Sequence, residues 1–193
     1  KVSEALARKE TVRAESNLLL NIDTLGGVFD ALIGRDPSLS LDEDPETGEQ
    51  TVVVHSPLTE RDIVLLRKMM LVYDQFVDKN EESQSLRYEI ARAYRRVGAI
   101  HQRLCEVGSL LEAEKAFEKA LTGFAGVTDR DVRGDLASLH IDIAKLRVRQ
   151  YQDARDSWQK ALGLLESLPN SESDDVRLKR AEVLFEIARN KRL

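Results

Sequence analysis

Glu112-Ala-Glu-Lys-Ala-Phe-Glu-Lys-Ala-Leu121 aligns with Asp153-Ala-Arg-Asp-Ser-Trp-Gln-Lys-Ala-Leu162 at an offset of 41 residues, and this pair of segments decides the fold. Four of the ten positions are identical, and Glu to Asp, Ala to Ser, Phe to Trp and Glu to Gln keep size and polarity. Ahead of each segment runs an apolar stripe that steps by four, three and four residues, which is one face of a helix. The stripes are Ala93, Val97, Ile100 and Leu104, then Ala137, Ile141, Ala144 and Val148; Ala181, Phe185 and Ala188 begin a third, each stripe 44 residues after the last. A stripe helix followed by a segment helix is a hairpin. The difference between 44 and 41 places about three extra residues in the first turn, near Val107, Gly108 and Ser109.

Working outward, composition agrees with helices. The 193 residues are 42% hydrophobic, 33% charged and 5% aromatic, with 10 Gly and 4 Pro, too few for a sandwich of short strands and many turns. Periodicity predicts about seven helices. The first runs over 1–33, with a bend or break expected at Gly26-Gly27, because each glycine costs about 1 kcal/mol in a helix interior. Residues 35–57, rich in Asp, Glu and Pro, are expected to form an irregular acidic connector, although Thr51 to His55 has strand propensity. Thr59 and Asp62 look like a capping pair opening the second helix. Residues 1–80 therefore form a helical hairpin or cap with its connector. Residues 86–193 form the repeats, about 91–127, 135–168 and a partial 179–193.

The unit resembles the tetratricopeptide repeat, whose W-x2-L-G-x2-Y and A-x3-F patterns are matched loosely by Tyr94-x2-Val97-Gly98-x2-His101 and by Ala113-x3-Phe117 or Ala154-x3-Trp158. That resemblance implies an α-α superhelix of antiparallel hairpins, in which Ala113 and Ala154 admit a neighbouring helix and Phe117 and Trp158 fill the space between successive pairs. The second hairpin departs from the pattern with Asp142 and Lys145 at the glycine and aromatic positions, and the third with Glu186 and Arg189. The third stripe has no following helix in these residues, so its apolar surface is expected either to be covered by a continuing chain or to pack on another molecule.

The wider layout, with Tyr73-Asp-Gln-Phe-Val77 and Ala91-Arg-Ala-Tyr-Arg-Arg-Val-Gly98 behind a long first helix, resembles the repeat region after the catalytic domain of many bacterial serine/threonine protein kinases. It implies a larger signalling protein as parent and the parent's own catalytic domain as one partner. The absence of an initiator Met also suggests an excised segment.

Chemistry-bearing motifs are scarce. The glycine-rich loop, strand lysine, His-Arg-Asp and Asp-Phe-Gly elements of a kinase do not occur, so this segment is expected to be no enzyme. Asp42 to Gly48 approximates a calcium loop, but its glycine falls one place late and Val53 stands where a bidentate glutamate belongs; a solvated acidic loop is expected. His55, His101 and His140 lack ligand spacing, and Cys105 is the lone cysteine, so no metal, cofactor or internal disulfide is expected. A net charge of -5 gives no drive toward nucleic acid. No apolar run is long enough to span a membrane, and a cytoplasmic place follows as an expectation.

Arg87, Arg92, Arg95, Arg96 and Arg103 crowd one helix. Tetratricopeptide register places Arg92, Arg95 and Gln102, with Leu136, Leu139, Ile143 and Leu146 on the next such helix, along a concave groove for a carboxylate-bearing or phosphorylated peptide. The competing expectation is that the leucines pack inside and the arginines pair with Glu81, Glu82 or Glu89. In function, the chain is expected to be a protein-interaction module, or alternatively a dimerising or spacing element without a groove.

Overall fold

The computed structural model describes residues 2–33, 38–43, 50–55, 58–80, 83, 86–104 and 108–190. Among them are seven helices and one small sheet: α1 (Val2–Ile33), β1 (Ser38–Glu43), β2 (Gln50–His55), α2 (Glu60–Asn80), α3 (Arg87–Leu104), α4 (Ser109–Ala125), α5 (Arg133–Arg149), α6 (Arg155–Glu166) and α7 (Asp174–Asn190). Contacts divide the chain within α2, into one unit of Lys1–Leu71 and another of Val72–Leu193.

In the first unit, α1 passes through Gly26 and Gly27 without the break that the glycine pair made an alternative. Its buried residues Ile22, Phe29 and Leu32 recur at helical spacing on both sides of that pair. The expected irregular connector is instead partly ordered: β1 and β2 pair antiparallel, with Leu39 opposite Val54 and Leu41 opposite Val52. The alternation Leu39, Leu41 gives Thr51 to His55 the local partner that a lone strand lacks. Asp42 and Glu43 lie in β1, and the rest of the calcium-like stretch, 44–48, falls outside the described residues. At the start of α2, Thr59 donates to Asp62 Oδ2 from its backbone nitrogen at 2.9 Å and from its hydroxyl at 2.8 Å; the Asp62 amide returns a 3.3 Å bond to Thr59 Oγ1. This reciprocal cap is the one the spacing predicts.

In the second unit, α3 packs on α4, α5 on α6 and α6 on α7; α5 also touches α3 and α4. Among the described residues, two cores join these helices. One joins Ala91, Ala113, Phe117, Ala120 and Phe124 of α3 and α4 to Leu139 and Leu146 of α5. The other joins Ala137, Ile141 and Ala144 of α5 and Trp158, Ala161 and Leu165 of α6 to Val176 and Val183 of α7. Ala113, Ala154, Phe117 and Trp158 are all buried, so the small and large positions of the repeat do pack between helices. Close approach of α3 and α4 needs glycine at two points: a Cβ on Gly98 would stand 2.5 Å from the Phe117 ring, and one on Gly123 2.8 Å from Ala91 Cβ.

Both hairpins are also fastened by an arginine at the start of the first arm that donates to a carbonyl at the end of the second. Arg87 reaches the Gly126 oxygen at 3.2 Å, and Arg133 reaches that of Ser167. A cation suits the negative end of a helix dipole. The expected third stripe turns outward: Ala181, Phe185 and Ala188 are exposed, and α7 buries Val176 and Val183 instead.

Candidate interaction surface

Three polar contacts tie α3 to α5, each across 47 residues. Tyr88 Oη donates to Asp135 Oδ2 at 3.0 Å, Arg95 Nε donates to Asp142 Oδ2 at 2.7 Å, and Arg149 Nη1 donates to the Gln102 carbonyl at 2.5 Å. Residues 88, 95 and 102 are seven apart, as are 135, 142 and 149, so the contacts form a seam along matching helix edges. Burial, followed by the charge of Asp135, pushes the Tyr88 hydroxyl up to about 12. Asp142, the departure at the repeat's glycine position, is thereby explained: the carboxylate meets Arg95 of the preceding hairpin.

That seam rearranges the predicted groove. Arg95 faces Asp142 rather than an open channel, and Gln102 is buried. Leu139 and Leu146 are core residues, while Leu136 and Ile143 are half-buried against the same core. Arg92 is half-buried, 3.4 Å from Glu89 and 5.6 Å above the Tyr88 ring centroid. The predicted set therefore does not form one accessible wall, because its leucines fill the space between hairpins. Of the remaining arginines, Arg96 is buried beside the Tyr73 ring at 5.7 Å. Glu81, Glu82 and Cys105 lie outside the described residues.

Basic and apolar character meets elsewhere, in a cleft of about 670 Å³ along α3 and α4. Ile90 and Tyr94 supply its apolar side, and Arg87, Lys115 and Lys119 its cations, with Glu118 at the same wall. Lys119 Nζ lies 4.9 Å from the Tyr94 ring centroid and 3.4 Å from its hydroxyl. Lys115 is exposed and pairs with Glu112 at 2.8 Å. A signal for this site is present in the repeat segment: Lys115 and Lys119, four residues apart, share a helix face.

A smaller cleft of about 180 Å³ between α4, α5 and α6 is lined by Glu118, His140, Arg147, Gln150, Asp156 and Lys160, among others. Burial lowers the His140 pKa, and the hydrogen bond from Lys160 lowers that of Asp156. Among the described residues no group of His, Cys, Asp and Glu is arranged to hold a metal, and no helix is long and apolar enough to cross a membrane. Compared with known protein families, with curated proteins and with solved structures, the chain matches none.

Proposed function

We propose that the chain is a non-catalytic protein-interaction module of tetratricopeptide-like hairpins that takes an acidic peptide in the α3/α4 cleft. The observation that carries this reading is the cleft itself: Lys115, Lys119 and Arg87 stand around an Ile90 and Tyr94 surface. Carboxylates or a phosphate would meet the cations, while an aliphatic side chain would lie against Tyr94. The stacking of α3/α4 on α5/α6 through alternating small and large residues supports a repeat scaffold, on which such a cleft is held by rigid helices. The resemblance to kinase-linked repeat regions suggests an acidic or phosphorylated segment of a bacterial signalling kinase as the source of the peptide, in the cytoplasm.

Fluorescence anisotropy with labelled acidic peptides, each with and without a phosphoserine, tests this. Lys115→Glu with Lys119→Glu should weaken binding by about tenfold or more and flatten its salt dependence, since two cations become two anions. Both lysines are exposed, so helicity should not change. Affinity that survives the double substitution, or no binding by any acidic peptide, would overturn the reading.

A further inference from the structure

The outward face of α7 carries Leu178, Ala181, Phe185 and Ala188, spaced three, four and three residues apart. Leu178 is 73% exposed and Phe185 64%, and both alanines are exposed as well. At the matching repeat positions of α5, Ala137, Ile141 and Ala144 are buried and share a core with α6. The α7 stripe thus has the make-up of a helix-packing face without a helix on it among the described residues.

We propose that this face pairs with α7 of a second copy, the two helices running antiparallel about a two-fold axis level with residue 183. Large and small residues alternate along the seam, Leu178 and Phe185 against Ala181 and Ala188. An antiparallel pair centred there sets Leu178 against Ala188 and Phe185 against Ala181 of the second copy, a large residue on a small one in all four layers. A parallel pair would set Phe185 on Phe185 and Ala181 on Ala181, alternately too wide and too narrow for one interaxial distance. Charge agrees with the antiparallel choice. Asp175, Glu182 and Arg189 lie seven residues apart on one flank of the stripe, and reversing one helix about residue 183 brings Asp175 within two residues of the level of the second copy's Arg189, while Glu182 comes nearest its own counterpart, each with Lys145 beside it. Lys145 holds Glu182 at 2.7 Å, and Arg189, 3.1 Å from Glu186, keeps an exposed side chain. The acidic first turn, Asp174 and Asp175, also comes nearest the second copy's last turn with its Arg189, and antiparallel helix dipoles attract. An isologous contact of this kind closes as a dimer and grows no further.

Sedimentation equilibrium of the 193-residue chain should show the mass rising with concentration from 21.8 kDa toward twice that value. Phe185→Glu should hold it at the monomer mass with helicity and melting unchanged, because the ring is exposed in the single copy. Register is read separately. In a Cys105→Ser background, Leu178→Cys and Ala188→Cys chains should cross-link on mild oxidation when mixed. Either alone should not, since like positions would be about 15 Å apart along the axis. A monomer at every concentration, a dimer indifferent to Phe185→Glu, or cross-links within one variant as fast as in the mixture would each overturn the proposal. It stands apart from the peptide cleft: Lys115→Glu with Lys119→Glu should leave the dimer intact, and Phe185→Glu should leave peptide affinity intact.

Discussion

A methyl group placed at Gly98 should destabilise the second unit, although alanine is the better helix former. In a helix interior Gly→Ala gains about 1 kcal/mol of propensity. At Gly98 the new Cβ would lie 2.5 Å from Phe117 Cε1 and 2.6 Å from Cδ1, so the ring would have to retreat. A non-bonded carbon pair prefers about 3.5 Å, so the displacement needed is about 1 Å. Phe117 is 1% exposed and shares a core with Leu139 and Leu146, so the shift is passed to the contact with α5. Overpacking of this kind costs roughly 1–3 kcal/mol, which exceeds the propensity gain and leaves a net loss of about 1 kcal/mol. Gly163, in α6, is the control. It is exposed with nothing within 4 Å of an added Cβ, and Gly163→Ala should stabilise by about 0.5–1 kcal/mol. Urea unfolding followed by fluorescence of Trp158, the sole tryptophan, reads the second unit directly. A Gly98→Ala chain as stable as Gly163→Ala would refute the close α3/α4 contact. Phe117→Leu, which removes the ring edge, should recover part of the Gly98→Ala loss in the double variant.

Two other outcomes follow from local geometry. Tyr151, fully exposed, has φ 58, and it sits where the Gln152 amide bonds to the Arg147 oxygen at 2.8 Å and its own amide to Val148 at 3.2 Å. That is a helix C-terminus that favours glycine, so Tyr151→Gly should raise stability by about 1 kcal/mol in the same urea assay, and a loss would contradict the left-handed turn. Asp131 and Asp153 are each held at about 2, below the ordinary 3.8, chiefly by the hydrogen-bonding side chains of Arg133 and Arg155. A depressed folded-state pKa gives stability that is complete above the ordinary value and is lost as pH falls through the depressed one. The Asp131→Asn, Asp153→Asn chain should therefore lose less melting temperature than the wild type between about pH 4 and pH 2, the window those values define. Parallel acid limbs would rule the two carboxylates out.

The repeat was legible because identical side chains recur at a fixed offset, and burial of Ala113, Phe117, Ala154 and Trp158 follows from it. Thr59 and Asp62 were legible for the same kind of reason, a local contact fixed by spacing. The β1/β2 pairing was not, because Leu39 and Leu41 alternate over too few residues to stand out within an acidic, proline-rich stretch. Nor was the fate of the proposed groove. Periodicity places Leu139 and Leu146 on a helix face, but whether that face meets solvent or a neighbouring hairpin depends on how the hairpins are rotated about one another. That rotation is set by contacts 47 residues apart, which no local pattern records.

Two offsets together define the stacking in the second unit. Equivalent core positions of α3 and α5 are 44 residues apart, whereas their seam partners are 47 apart, so each side chain of α3 meets α5 three residues beyond its own counterpart. Three residues are a stagger of a little less than one turn, about 4.5 Å of rise. The seam depends on donors at 88 and 95 meeting carboxylates at 135 and 142, and the positions 44 residues after those donors, Val132 and Leu139, carry no side-chain donor to repeat it toward α7. Glu182 turns instead to Lys145, at 2.7 Å, one residue after the Ala144 core position. That exposed ion pair is of the kind worth about 0.2–1 kcal/mol, and α7 is held chiefly through Val176 and Val183 against the α5/α6 core. Among the described residues α7 is seated by one apolar edge while Leu178 and Phe185 stand exposed on the other, the geometry from which the proposed two-fold contact between copies would gain most.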